Sequence, residues 1–289
     1  MAVYEQLERQ AFAEVPFPAK VEDFRQAFGA FDDFISIARD YRYAGNYQLG
    51  NVSTGKFGYF RKVEGSDQDG RSISADTKHE YHFGSLTRQI FESADFKSLP
   101  KEVRTFCVHA EELYWMSVLC LKDTLVTLQD ETQIQYGRQT PELANQFIRP
   151  HDPLNIHLRF IAYELPKIAG EPLAKGHFDR SVFTAAITET EPGLQIGFKD
   201  DGSDLHPVDH RSGAAKFFAG KGWSRMPQEF HDHYPEIEPA YHLVDNTNLY
   251  KKVGSPIVRR AIVLFANPLD FATDPSPQET RPQLLTAVR

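Results

Sequence analysis

The chain has 289 residues, 41% of them apolar and 25% charged, which is enough to bury a large core in one or two domains. Its formal net charge of -8, with no basic run, argues against the phosphate-neutralising surface that nucleic-acid binding requires. No apolar stretch approaches the roughly 18 residues of a membrane-spanning helix, and the N-terminus MAVYEQLERQ lacks a basic segment followed by an apolar core, so a cytoplasmic protein is expected.

Residues 1 to about 45 mix short apolar pieces with Pro16 and Pro18, then run into FRQAFGAFDDFISIARDY, whose apolar residues recur at helical spacing. A strand-and-helix preface is expected. From Gly50 to Ser74 glycines alternate with aromatics, Gly58-Tyr59-Phe60 among them, and short strands and turns are expected. Pro100 opens the longest helical pattern, in which Val103, Phe106, Ala110, Leu113, Val118, Leu121 and Leu125 recur three and four apart. Trp115 and Met116 on that helix read as core. Cys107 and Cys120 fall on it too, on different faces and about 20 Å apart, too far to bridge. Two free thiols suit a reducing compartment. His79, His82 and His109 read as ordinary polar residues of helical or loop segments.

A second helix is expected after Thr140-Pro141, with Thr as N-cap and Pro as first helical residue, ending before Pro150. From Leu154 the texture changes to alternating runs: LNIHLRFIAYEL, VFTAAIT, GLQIGF, AAKFFAG, AYHLV and IVRRAIVLFANP, separated by turn residues. Short strands in this number suggest a β-sandwich or jelly roll. The tail DPSPQETRPQ is proline-rich and expected to lie extended.

The chemistry centres on His177-Phe178-Asp179. On a strand, this spacing turns the imidazole and the carboxylate to one face and Phe178 to the other. A third histidine from elsewhere would complete a two-histidine, one-carboxylate set, which holds Fe(II) and leaves positions open for reaction. Five histidines compete for that place: His206, His210, His231, His233 and His242. The two in EFHDHYPEIEP read as part of a solvated loop, whereas His242 in AYHLVD has the apolar flanks of a strand; His242 is the first choice and His233 the fallback. No Gly-x-Gly-x-x-Gly, phosphate-loop lysine, Gly-x-Ser-x-Gly or Cys-x-x-Cys motif occurs, which removes the commonest nucleotide, hydrolase and zinc-ribbon chemistries.

After Asp179, Thr184 and Pro192-Gly193-Leu194-Gln195 stand where they resemble, without a gap, the iron(II)/2-oxoglutarate-dependent dioxygenases of the isopenicillin N synthase-like and plant-hydroxylase type. Arg259-Arg260-Ala261 with Phe265 and Asn267-Pro268 resembles that family's closing strand, with Ala261 in the place of a serine. The upstream segments GYFRK and DTKHEYHFGS resemble its N-terminal part. The resemblance implies one mainly β oxygenase domain with flanking helices. Its parts would be a mixed helical and strand region over 1-150, a double-stranded β-helix (jelly-roll) core over 151-270, and a C-terminal extension over 271-289. It also implies His177, Asp179 and His242 as iron ligands and catalytic residues, and Arg259 as the anchor of the distal carboxylate of 2-oxoglutarate. Tyr163 and Ala261 would line that pocket.

In the register that the resemblance implies through Phe265 and Asn267-Pro268, Arg259, Ala261, Val263 and Phe265 share the inward face and Arg260, Ile262 and Leu264 point outward, so Arg260 is expected to be structural. Arg159 shares a face with Ile161 and Tyr163; it and Phe178 are the candidate substrate contacts, and a surface salt bridge is the alternative for Arg159. The activity implied is oxidation of a small organic molecule by Fe(II), O2 and 2-oxoglutarate, by hydroxylation or desaturation, with release of succinate and CO2. A keto-acid-independent oxidase of the isopenicillin N synthase type and a non-catalytic jelly-roll binding protein are the rivals.

Overall fold

The computed structural model describes residues 1-38, 48-52, 55-62, 78-85, 97, 99-137, 140-149, 155-164, 172-245 and 257-270. The tail and most of the stretch 246-257, longer in the sequence than the resemblance leads one to expect, lie outside the described residues.

Two helices form the outer layer. In α2 (Val21–Ala38), which follows α1 (Val3–Gln10), the buried residues Phe24, Ala27, Phe28, Phe31, Phe34 and Ile35 make one apolar stripe. The long helix α3 (Lys101–Tyr136) starts after Pro100 and ends at Gly137, whose left-handed φ of 63° lets its N–H reach Gln133 O. Its buried hydroxyls Ser117, Thr124 and Thr132 donate to the carbonyls of Leu113, Cys120 and Leu128 at 2.6, 2.7 and 2.7 Å, so none is left unsatisfied. Cys107 and Cys120 are free thiols. No helix among the described residues is long and apolar enough to cross a membrane.

Beneath the helices lies an eight-stranded antiparallel sheet. Its strands, in spatial order, are β1 (Ala13–Pro16), β10 (Ala214–Ala219), β7 (Phe183–Glu189), β12 (Ile257–Ala266), β5 (Ile156–Glu164), β4 (Lys78–Gly84), β3 (Gly55–Lys62) and β2 (Gln48–Val52). A second sheet orders β6 (Ala174–Phe178), β11 (Tyr241–Val244), β8 (Leu194–Gly197) and β9 (His206–Pro207). The large sheet thus recruits four strands, β1 to β4, from the N-terminal region 1-150.

Period-two alternation divides each central strand of the large sheet between two environments. Outward, Phe160 of β5, Ile262 and Leu264 of β12 and Tyr81 of β4 join α2 and α3 in one apolar cluster. The rings of Phe31 and Phe106 lie 5.7 and 5.0 Å from that of Phe160. Each such buried ring stabilises the fold by about 1.5–3 kcal/mol relative to exposure. Inward, Ile161, Tyr163, Ala186, Phe218 and Ala261 meet Ala174, Leu194, Ile196 and Val244 of the small sheet in a second cluster. Two sheets facing across such a core make the jelly roll. Arg260 points outward and clasps Asp32 of α2 with Nε and Nη2, at 2.7 and 2.6 Å.

Three local expectations change. His79 and His82 lie on β4, inside the large sheet. The His79 ring is fully buried and bridges the Tyr59 hydroxyl (2.6 Å) and Glu164 (2.8 Å). The strand KHEYHFG hides its nature because polar residues line both of its faces. The helix expected from Thr140-Pro141 is only α4 (Leu143–Phe147), because the Gln129 side chain accepts the Leu143 N–H at 3.0 Å and acts as the cap. His231 and His233 lie on a short helix, α5 (Gln228–His233), rather than in a loop.

Candidate metal centre

Strand pairing brings the first two side chains together. In the antiparallel pair β6–β11, His177 stands directly opposite His242, and their ring centroids are 4.4 Å apart. Asp179 follows immediately after β6. Its Oδ1 lies 3.7 Å from His177 Nε2 and its Oδ2 lies 3.6 Å from His242 Nε2. One ligand atom from each residue lies within 4.8 Å of the others, and this is the set of potential metal-binding side chains found among the described residues.

Both imidazoles are oriented for ligation. His177 Nδ1 donates to Lys175 O at 2.7 Å and His242 Nδ1 to Ala240 O at 3.5 Å, which leaves each Nε2 lone pair turned to the common point. Burial pushes the pKa of His242 down, keeping it neutral and able to coordinate. The His177 side chain is 50% exposed against 9% for His242, so the centre opens to solvent on one side. Two imidazoles and one carboxylate on one face form the donor set that suits Fe(II) with positions left open.

The Asp179 loop is held from three directions. Thr184 donates to Asp179 Oδ2 at 2.8 Å, and the Ser181 hydroxyl lies 2.9 Å from that of Thr184. Asn267 Oδ1 accepts the Val182 N–H at 3.1 Å, which explains the asparagine at the end of β12. From the turn after β10, Gly220, Lys221 and Gly222 donate to the carbonyls of Val182, Asp179 and Ser181 at 2.9, 2.7 and 3.0 Å. A Cβ on Gly222 would meet the Ser181 carbonyl carbon at 2.6 Å and Val182 N at 2.7 Å. Gly222→Ala therefore has to displace the loop that carries Asp179. The expected result is a stability loss of about 1–3 kcal/mol with weakened metal binding, checked by thermal melting and Fe(II) titration. Unchanged iron affinity would count against the glycine turn as the support of the centre.

Beside the centre, the inward face of the large sheet is unusually polar. Arg259 is ion-paired with Glu189, each side chain 3% exposed, and its Nε donates to Glu191 O at 3.1 Å. The Tyr163 ring centroid is 5.2 Å from the guanidinium carbon. Ala261 sits directly across from Glu189 in the β12–β7 register. Further along, the Arg159 guanidinium lies 4.4 Å from the Phe265 ring centroid, and its Nε is buried without a partner. Phe265 pairs with Thr184, the residue that holds Asp179. Next to Arg159, Glu80 contacts Lys78 at 3.0 Å and His82 at 3.2 Å. Burial opposes ionisation of Glu80, yet Arg159, His82 and Lys78 together hold its carboxyl well below the usual range.

The expected substrate contact Phe178 is not on this face. It pairs with Tyr241 on the reverse side of the small sheet, ring centroids 5.2 Å apart, as alternation from His177 requires. His206 is exposed on β9, and His231 packs edge-on against Trp223 at 5.6 Å. His210 lies 4.0 Å from Glu189, beside Arg259 rather than at the centre. The sequence reading missed Glu189, Glu80 and Lys78. Only the cross-strand register reveals them.

No protein-family model and no curated protein matches this chain. Solved structures do. A Shewanella oneidensis protein described as an oxygenase superposes with a TM-score of 0.61 and 20% identity, over 92% of this chain and 85% of that one. A full-length Neurospora crassa protein crystallised with alpha-KG and thymine gives 0.66 and 15%, over 92% and 78%. A Caulobacter crescentus protein described as of the 2OG-Fe(II) oxygenase family gives 0.63 and 16%, over 92% and 80%. At these identities the likeness establishes the fold, a jelly roll of the kind those oxygenases use.

Proposed function

From that shared fold and the His177, Asp179 and His242 centre, we propose that this chain is an Fe(II)- and 2-oxoglutarate-dependent oxygenase acting on a small organic molecule. The observation that carries the reading is the convergence of three ligand atoms within 4.8 Å on one open face. When bound, Fe(II) with 2-oxoglutarate and O2 supplies oxidation of a C–H bond, giving hydroxylation or desaturation together with succinate and CO2. The residues of the chain do the positioning. His177, Asp179 and His242 would hold the metal, and Thr184 keeps the carboxylate turned towards it.

Arg259 would receive the distal carboxylate of the keto acid. The buried, unpartnered Nη1 supports this role, because such a donor is costly unless something accepts from it. Tyr163 and Ala261 would line the same end. Arg159, over the Phe265 ring and with an unpartnered Nε, would take an anionic or carbonyl group of the substrate. The free thiols of Cys107 and Cys120 suit the reducing cytoplasm, where Fe(II) persists.

One observation favours the rival keto-acid-independent oxidase: Arg259 already has a carboxylate partner in Glu189. Succinate formation decides between them. Incubated with Fe(II), O2 and 2-oxoglutarate, the protein is expected to release succinate, faster once its substrate is added from a panel of small organic acids and heterocycles. Oxidation of a panel compound without keto-acid consumption would establish the oxidase instead. Arg159→Ala is expected to raise the substrate KM by about tenfold or more while leaving uncoupled succinate release intact.

A further inference from the structure

Glu189 and Arg259 face each other in the inward layer, and both are withdrawn from water. Three polar atoms around them are buried without any partner: Arg259 Nη1, Glu189 Oε1 and His210 Nδ1. Guanidinium geometry explains which edge is free. Nε is spent on Glu191 O and Nη2 on Glu189 Oε2, leaving Nη1 as the open donor. Across the strand pair, Ala261 stands opposite Glu189 and offers no side-chain donor.

Resting on the reading of Arg259 as the anchor, we propose that Glu189 is a specificity residue of the co-substrate pocket: its carboxylate neutralises Arg259 in the resting protein and takes up one proton when a dicarboxylate keto acid binds there. Two carboxylates cannot both stay ionised around one buried guanidinium, because each keeps its desolvation cost while they share a single counter-charge. The protonated Glu189 then turns from acceptor to donor. Its O–H and Arg259 Nη1 together give the incoming carboxylate two hydrogen bonds, the first standing in for the donor that Ala261 lacks. The balance is simple: the keto acid arrives as a dianion, one proton comes from solvent, and no covalent bond forms or breaks.

The surroundings favour this uptake. Burial already pushes the Glu189 carboxyl above the usual carboxylate range against the pull of Arg259, and Asp209 pushes the same way; only the Gly193 backbone N–H joins Arg259 in opposing it. From β5, Tyr163 presents a ring to the guanidinium. His210 is pushed down to about 4 by burial and then by Arg259 and Lys216, against a hydrogen bond to the Ile187 backbone and the weaker pull of Glu14. It is therefore neutral above pH 6 and silent in the range tested.

Calorimetric titration of 2-oxoglutarate into the protein, saturated with Fe(II) under nitrogen, reads the proton directly when repeated in buffers of different ionisation enthalpy. Between pH 6.5 and 8 the expected result is uptake of about one proton per keto acid bound, with Kd rising about tenfold per pH unit. Glu189→Gln, which keeps the shape and removes the charge, is expected to bind without proton uptake, with a Kd that no longer depends on pH and is the tighter of the two at pH 8. Binding to the wild-type protein with no proton uptake and a flat Kd would overturn the proposal while leaving the anchor in place. Absence of 2-oxoglutarate binding in both proteins would remove the anchor, and this role with it. Should the variant fail to fold, the wild-type proton count decides.

Discussion

Asp179→Ala is expected to eliminate turnover while the protein melts within a few degrees of the wild type. The carboxylate contributes the anionic third of the ligand set, and no other acidic side chain among the described residues groups with His177 and His242 to replace it. Its loss should exceed the roughly 10–100-fold that removal of an outer hydrogen-bond partner costs a metal site. Thr184→Val supplies that lesser comparison, because it deletes the 2.8 Å hydrogen bond to Asp179 Oδ2 and keeps the shape. The fold should tolerate the change, since Asp179 spends its side chain on Thr184 and the two imidazoles rather than on either apolar cluster. Activity, Fe(II) titration and thermal melting of the two variants together test the ordering. Global unfolding of Asp179→Ala would show instead that the loop is a structural element first.

Arg259→Ala is the second large effect, and it acts on stability as well as on function. Removing the guanidinium strands the Glu189 carboxylate in a site where it is 3% exposed, a loss of about 3–5 kcal/mol when the carboxylate must stay ionised. The pH dependence has a definite sign. Without Arg259 the folded-state pKa of Glu189 lies further above its unfolded value, so the deficit is absent below the unfolded pKa and grows as pH rises through the folded one. Urea denaturation at pH 5 and pH 8 should show it, and the double variant Arg259→Ala, Glu189→Gln should recover most of it at pH 8. Equal stability of single and double variants there would mean that the two side chains are not coupled. In assays, the keto-acid requirement should rise about a hundredfold or more and the substrate requirement little. Equal changes in both would favour the oxidase reading.

Much of this architecture was legible from the residues alone. The alternation in LNIHLRFIAYEL and IVRRAIVLFANP specifies which side chains of β5 and β12 share a face, and the period of two carries that pattern along the whole of a strand. The same rule sends Phe178 to the opposite face from His177, so its expected contact with substrate ran against its own strand geometry. The histidines of β4 read as residues of helical or loop segments for a different reason. A strand that carries the Lys78, Glu80 and His82 contacts on one side and bonds Tyr59 and Glu164 through His79 on the other shows no clean apolar periodicity to detect.

The sequence by itself determined what lies along a single stretch of chain: the His177 and Asp179 pair, the face that Arg259 shares with Ala261 and Val263, and the helical stripes of α2 and α3. Tertiary structure alone decided what lies across strands. His242 meets His177 only because β11 pairs with β6 in that register, and Glu189 reaches Arg259 across a ladder joining residues 70 positions apart. A strand's own period says which way a side chain points, but hydrogen-bonded register between distant strands says what it meets. Here that register sets a carboxylate against the one arginine on which the co-substrate reading depends.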